Sequence, residues 1–156
     1  MKITTLCYIS CGERTLMLHR TKKENDENAG KWVGIGGKLE AGESPEDCLV
    51  REVYEETGIK LESYSFRGLV TFVSDEWGTE YMCLYTAKTE KEQLCSCSEG
   101  DLCWVETKKL EELPMWEGDR VFFGLLKEGR PFFSLKLIYK GEKLTDAVID
   151  GKRTEI

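Results

Sequence analysis

Alternation of apolar and polar residues predicts that much of this chain is β-strand. A period of two places successive side chains on opposite faces of a sheet. The predicted strands are Ile3–Ser10, Thr15–Arg20, Tyr64–Ser74, Glu80–Lys88, Leu102–Val105, Phe132–Tyr139 and Leu144–Ile149. Turn-forming residues at 11–13, 75–78 and 140–143 separate three pairs of these strands, which predicts three hairpins.

A helix is predicted over Pro45–Thr57, where both ends carry strong local signals. Ser44 is a good N-cap, Pro45 suits the first helical position, and Asp47 stands where a capping-box acid would. Gly58 follows, and a glycine in the left-handed backbone conformation commonly ends a helix. Three apolar residues fall on one arc that can face a core: Leu49, Val50 and Val53.

A second helix is predicted over Trp116–Lys127, with Val121, Phe122, Leu125 and Leu126 toward the core. Polar loops are expected at residues 21–31 and 91–101. The glycine run at 34–37 indicates a turn or a close backbone approach. Strands and helices mixed in this order suggest an α/β sandwich. With 156 residues and 40% hydrophobic content, a single domain over residues 1–156 is expected.

Composition narrows the function classes. The net charge of −7 argues against binding of a nucleic-acid polymer or an anionic membrane surface, since both need a basic face. No apolar run reaches about 18 residues, and residues 1–10 are too polar, with too short an apolar run, to predict a signal peptide. Seven cysteines without a Cys-x-x-Cys pair, and His19 as the single histidine, disfavour structural zinc and Ser-His-Asp catalysis. We interpret most thiols as small apolar residues, and expect a reducing cytoplasm.

The acidic excess is concentrated in one segment. Residues Glu40 to Glu56 carry seven acids and one base, and therefore −6 of the net −7. On the predicted helix, Glu52, Glu55 and Glu56 share an arc, where like charges oppose each other by about 0.2–0.5 kcal/mol. These glutamates are either a solvated face or a set of hard oxygen ligands for Mg²⁺ or Mn²⁺.

A longer motif with fixed spacing decides between a solvated face and a set of metal ligands. It runs Gly37, five residues, Glu43, seven residues, Arg51-Glu52-Val53, one residue, Glu55-Glu56, one residue, Gly58-Ile59. This pattern is similar to the Nudix box at every defined position. The flanking segments resemble MutT-type 8-oxo-dGTP diphosphatases of that family; they are residues 30–38, 99–104, 114–119 and 132–134. The resemblance implies the Nudix fold, an α/β/α sandwich with a mixed β-sheet.

The resemblance also implies a metal site. Glu52, Glu55 and Glu56 would ligate Mg²⁺, with Mn²⁺ as an alternative, and the Gly37 carbonyl would supply a further oxygen. Glu99 matches a loop carboxylate that serves as another ligand or as the general base, although an exposed loop acid is an equal alternative. Together these residues would carry hydrolysis of a nucleotide between its phosphates.

Five further residues receive supporting or phosphate roles. Arg51 and Glu43 are expected to form an ion pair that orients the loop against the helix. Lys38 follows the glycines and could meet a phosphate. Lys22, with Lys23, could frame the sugar-phosphate entrance, although solvated loop lysines are common.

The base pocket follows the family less closely. Trp116 resembles an aromatic that stacks on the purine, and Asp119 resembles an acid that reads the purine edge. Val33 stands where the best-known vertebrate pattern has a purine-contacting Asn, and Gly118 where it has a second acid. The other tryptophans are expected in the core: Trp32, Trp77 and Trp104.

The leading hypothesis is therefore a Mg²⁺-dependent hydrolase that converts 8-oxo-dGTP to its monophosphate and pyrophosphate. A second keeps the chemistry and changes the substrate to ADP-ribose, a dinucleoside polyphosphate or an ordinary dNTP. A third is a non-catalytic nucleotide-binding or redox module that uses Cys95 and Cys97. RNA decapping is disfavoured because no basic tract marks an RNA path. Monomer and homodimer are both open.

Overall fold

The protein folds around one mixed β-sheet. The computed structural model describes residues 1–21, 25–92 and 100–156. The predicted roles of Lys22, Lys23, Cys95, Cys97 and Glu99 fall outside these described residues.

Ten strands and two α-helices make up the described chain. In chain order they are β1 (Lys2–Cys11), β2 (Arg14–Arg20), β3 (Trp32–Val33), β4 (Ile35–Lys38), α1 (Pro45–Thr57), β5 (Ser65–Ser74), β6 (Gly78–Lys88), β7 (Gly100–Glu106), α2 (Glu117–Lys127), β8 (Phe133–Lys140), β9 (Lys143–Ile149) and β10 (Lys152–Thr154). A 3₁₀ segment, Thr107–Glu112, follows β7.

The sheet has the order β10-β9-β8-β5-β6-β1-β2-β3, with β4 also paired to β1 and β7 to β2. Strand β1 runs parallel to β6, and β5 runs parallel to β8. The three predicted hairpins, β1–β2, β5–β6 and β8–β9, are antiparallel. The prediction of an α/β fold with a mixed sheet is confirmed.

The helices cover opposite faces of this sheet. On β1, Cys7 and Ile9 join the cluster that contains Leu49 of α1, whereas Tyr8 between them joins the cluster that contains Phe122 of α2. This alternation is the period of two expected of a strand buried on both faces. The two cores therefore form an α/β/α sandwich.

Helix α1 has the predicted bounds and caps. The Ser44 hydroxyl accepts a hydrogen bond from the Asp47 amide (3.1 Å), and the Asp47 carboxylate accepts one from the Ser44 amide (3.0 Å). Gly58 ends the helix at φ +80°. Leu49 and Val53 are fully buried as expected, and Val50 is half-buried.

The glycine run forms strand β4 rather than a turn. Gly36 pairs opposite Leu6 of β1, and a Cβ at Gly36 would lie 1.9 Å from the Thr5 carbonyl oxygen. The close backbone approach was predicted correctly, but its form as a strand was not. Two-residue β3 and the glycine-rich β4 are too short and too poor in side chains to show a period.

Two other expectations are wrong. Trp77 is 42% exposed, because it lies in the turn between β5 and β6 rather than in the core. Asp101 belongs to strand β7, where it pairs opposite His19, and not to the preceding loop. Among the described cysteines, Cys7, Cys48 and Cys83 are buried, and Cys103 is exposed on β7. No helix within the described residues is long and apolar enough to cross a membrane.

Candidate active site

A cleft of about 510 Å³ opens between strand β4, helix α1 and the start of α2. Its wall brings together residues that are far apart in the sequence. Six of the predicted site residues line it: Val33, Gly37, Lys38, Glu52, Trp116 and Asp119. The cleft therefore has an acidic end, at Gly37 and Glu52, and an aromatic end, at Trp116 and Asp119.

The three helix glutamates occupy different environments. Glu56 is buried, with 9% of its surface exposed, whereas the Glu55 side chain is 58% exposed. Glu52 lies between these extremes and lines the cleft. Glu55 and Glu56 follow it by three and four residues, and so lie on the same side of α1 one turn further along. They are not part of the cleft wall.

Gly37 lies directly against Glu52. A Cβ at Gly37 would lie 2.4 Å from the Glu52 carboxyl carbon, so any side chain there would displace the Glu52 carboxylate. The Cys48 thiol points at the Gly37 carbonyl oxygen (3.6 Å), which fixes the β4 backbone against α1.

Arg51 links the acidic residues. Its Nε and Nη2 bind the two Glu43 oxygens at 2.7 and 2.8 Å. Its Nη1 binds Glu52 at 2.8 Å and Glu55 at 3.3 Å. Nη2 also donates to the Lys38 carbonyl (3.2 Å). One guanidinium thus joins helix α1 to the loop after β4, because its planar fork offers several donors in fixed directions.

This pairing shifts the pKa values of both Glu43 and Arg51. The hydrogen bonds from Arg51 lower the pKa of Glu43 to about 2, with a further contribution from the Glu40 backbone. The hydrogen bond to Glu43 raises the pKa of Arg51 above its usual value. Both groups therefore stay ionised across the neutral range. The structure places this pair where the sequence predicts it; its supporting role in catalysis stays a prediction.

The acidic end fits a hard divalent cation. Carboxylate and carbonyl oxygens are the ligands that Mg²⁺ prefers, and the Gly37 backbone meets the Glu52 carboxylate without an intervening side chain. Within the ranges described, no three His, Cys, Asp or Glu side chains are gathered at metal-binding distance. Glu52 and Glu55 instead both contact Arg51, so metal ligation by these side chains would require them to reorient.

At the aromatic end, Trp116 is held by three neighbours. Its indole N–H donates to the Asn28 side-chain oxygen (2.8 Å), across 88 residues of sequence. The Lys31 ammonium lies 4.4 Å from the ring centroid, a cation–π contact, and also pairs with Glu142. The Tyr139 ring meets Trp116 edge to face at 5.1 Å. Trp116 is half-buried and lines the cleft.

Asp119 is a buried acid beside this aromatic group. Only 5% of its surface is exposed. Burial raises the pKa of Asp119 to about 8, and the nearby Arg120 offsets part of that effect. Asp119 therefore holds its proton at neutral pH, where it can donate as well as accept a hydrogen bond. Val33, the remaining predicted pocket residue, is buried on β3 and presents only methyl groups.

Sequence reasoning missed the residues that hold the aromatic end. Asn28 and Lys31 lie in the loop predicted only as exposed and polar, and Tyr139 lies on a predicted strand with no assigned role. Arg20 and Asp26 form a buried ion pair there (2.8 Å), and Asp26 accepts from the Asn28 amide (3.1 Å). The one available signal was the density of Asn and Asp in that loop, which favours ordered turns.

A model of the NUDIX domain matches residues 2–126 of this sequence. The chain belongs to the Nudix family. Members hydrolyse nucleotide derivatives and generally use divalent cations such as Mg²⁺. This Nudix chain is 30% identical over 135 residues to the uncharacterized Nudix hydrolase YvcI of Bacillus subtilis, covering 81% of this chain and 79% of that protein.

Other relatives span nearly the whole Nudix chain. The oxidized purine nucleoside triphosphate hydrolase of Danio rerio is 25% identical over 156 residues, covering 99% of this chain and 96% of that protein. The crystal structure of a mutator MutT protein from Bacillus halodurans superposes with a TM-score of 0.84 at 26% identity, covering 96% of this chain and 98% of that one. The Nudix fold is thereby confirmed.

Proposed function

We propose that this Nudix hydrolase is a Mg²⁺-dependent pyrophosphohydrolase of oxidised purine nucleoside triphosphates such as 8-oxo-dGTP, acting as a single domain over residues 1–156. The observation that carries the proposal is the single cleft that joins an acidic end to an aromatic end. Its volume of about 510 Å³ lies within the usual range for small-molecule sites. The likeness to the Danio rerio hydrolase supports the purine substrate.

The acidic end would receive the phosphates. Glu52, Glu55, Glu56 and the Gly37 carbonyl would hold Mg²⁺, which supplies positive charge where the triphosphate and a nucleophilic water would otherwise repel each other. Lys38 lines the cleft beside Gly37 and would pair with a phosphate oxygen. Arg51 and Glu43 would position the α1 carboxylates. Glu99 is proposed, from its sequence position alone, as a further ligand or the general base.

The aromatic end would receive the base. Trp116 would stack on the purine, and the protonated Asp119 would hydrogen-bond to its edge. Water attack between the phosphates then releases the nucleoside monophosphate and pyrophosphate. The neutral charge of Asp119 matters here, because an ionised carboxylate is costly in so buried a position, even with Arg120 nearby.

The test is hydrolysis of 8-oxo-dGTP, dGTP, ATP, ADP-ribose and a dinucleoside tetraphosphate, with Mg²⁺ and with EDTA, followed by chromatographic separation of the nucleotide products. We expect 8-oxo-dGTP to give the highest kcat/KM and EDTA to abolish turnover. Glu56→Gln should lower kcat/KM by on the order of 100-fold or more, since it removes a ligand charge. Glu62→Gln, an exposed acid just past the helix, should leave it unchanged.

Two outcomes would contradict the proposal separately. A preference for ADP-ribose or the dinucleoside polyphosphate would overturn the substrate assignment and leave the metal chemistry standing. Turnover that survives both EDTA and Glu56→Gln would overturn the metal role.

A further inference from the structure

Gly118, in the first turn of α2, has no room for a side chain. A Cβ there would lie 2.5 Å from the Tyr139 hydroxyl oxygen and 2.5 Å from a Leu137 methyl carbon. Leu137 is fully buried, so this neighbour has little freedom to move. The space beside the α2 backbone, one residue before Asp119, is therefore filled by the hydroxyl of Tyr139.

The hydrogen bonding of this hydroxyl is asymmetric. Its oxygen accepts a hydrogen bond from the Gly118 amide at 2.7 Å. Within the described residues, no acceptor receives the hydroxyl's own proton. Burial raises the pKa of Tyr139, so the phenol keeps that proton at neutral pH. The group is thus a buried donor whose direction is set by the Gly118 contact.

The ring that carries the hydroxyl is fixed within the candidate base pocket. Tyr139 is 5% exposed, and it stacks against Phe72 at 6.4 Å as well as meeting Trp116 edge to face. Tyr139, Trp116 and Asp119 all line the same cleft. A rigid aromatic platform holds the hydroxyl in place, so little rotamer entropy is lost when it binds a ligand.

We propose that Tyr139 selects 6-oxopurines over 6-aminopurines by donating its hydroxyl hydrogen bond to the purine edge. A 6-oxo group is an acceptor that this donor satisfies, whereas a 6-amino group brings a second donor against it. Sites built around one buried donor reject the mismatched partner because a polar group is then left unpaired. This inference rests on the proposed function and narrows it, since 8-oxoguanine and guanine are 6-oxopurines and adenine is not.

The experiment measures binding of 8-oxo-dGMP, dGMP and dAMP by calorimetry, without metal, so that it does not depend on turnover. Wild type should bind the two guanine nucleotides more tightly than dAMP. Tyr139→Phe keeps the ring and its packing, and should weaken guanine-nucleotide binding about three- to tenfold while leaving dAMP binding unchanged. Tyr85→Phe is the control: it removes another buried hydroxyl, one that binds Glu46 outside the cleft, and should leave the ratio unchanged.

Each outcome bears on the inference. A loss that is equal for guanine and adenine nucleotides means that the hydroxyl only supports the Gly118 backbone, and overturns the selector role. Wild type without a guanine preference, or without binding of any of the three, overturns it as well. Failure of the proposed function is seen separately, as the absence of metal-dependent pyrophosphate release from purine triphosphates by wild type.

Discussion

The two ends of the cleft are assembled in opposite ways. The acidic end comes from one continuous stretch, residues 37–58, in which a capped helix sets the spacing of the carboxylates. The aromatic end draws Asn28, Trp116 and Tyr139 from three separate elements. Contacts between neighbouring segments of the chain, β4 and α1, order the first, whereas the second exists only once the sheet and both helices have packed.

Their electrostatics differ for the same reason. At the acidic end, Arg51 pairs with Glu43, Glu52 and Glu55, and it lowers the pKa of Glu43 to about 2. At the aromatic end, burial raises the pKa of Asp119 to about 8. Ionised groups suit phosphates and a cation, whereas the protonated Asp119 would offer a hydrogen-bond donor to a base edge. The single cleft holds both because Glu52 at one end contacts Arg51, whereas Asp119 at the other end is buried.

Breaking the acidic end should have the largest effect. Arg51→Lys keeps the positive charge but loses the planar fork that binds Glu43 through two atoms while contacting Glu52. We expect kcat/KM to fall about 10- to 100-fold, with a higher Mg²⁺ concentration needed for half-maximal activity. Steady-state kinetics over a Mg²⁺ titration measures both.

Arg153→Lys is the matched control for that change. Arg153 forms an exposed pair with Asp146 on the last strands, at 2.7 Å, and its replacement should leave the Mg²⁺ dependence unchanged. If Arg51→Lys keeps wild-type activity and Mg²⁺ dependence, a single positive charge suffices, and the geometric role assigned to the guanidinium is wrong.

The aromatic end should respond to pH in a way that the acidic end does not. Asp119 loses its proton near pH 8 in the folded protein, but near 3.8 when unfolded. Between these values the folded state binds a proton that the unfolded state has lost, so raising the pH lowers the free energy of unfolding, and the contribution levels off above about pH 8. Asp119→Asn should remove this slope, as measured by urea unfolding at several pH values.

The pH dependence of nucleotide binding is a second measure of the protonation of Asp119. If only protonated Asp119 binds the base, the wild-type Kd for dGMP should rise about tenfold from pH 7 to pH 9, and Asp119→Asn should show no such rise. Asp75→Asn, an exposed aspartate that accepts from the Gly141 amide, should retain the wild-type profile. An identical rise in the Asp119→Asn variant would show that another group titrates.

The contrast between the ends also explains what the sequence could predict. Helix α1, its caps and its acidic arc follow from signals within a few residues of one another, and the structure has the same bounds. Asn28 and Trp116 are 88 residues apart, and no period or spacing links them. The contact between Gly118 and Tyr139 was equally unpredictable from the sequence, because a glycine has no side chain that would add to a hydrophobic or polar pattern. Trp77 is the opposite case, a prediction that the structure contradicts. As a large apolar residue it was expected in the core, but it lies in a turn that exposes it.

The smallest expected effect tests whether the aromatic end is a cooperative unit. Trp116→Phe removes the indole N–H and Asn28→Ala removes its acceptor, so each should raise KM about threefold and leave kcat unchanged. Because both remove the same hydrogen bond, the double variant should be no worse than about threefold, a coupling that a double-mutant cycle on KM would reveal. Additive effects, about ninefold in the double variant, would mean that Asn28 acts on the nucleotide independently of Trp116. In that case the two residues are separate contacts, and long-range packing does not order the base pocket as a single unit.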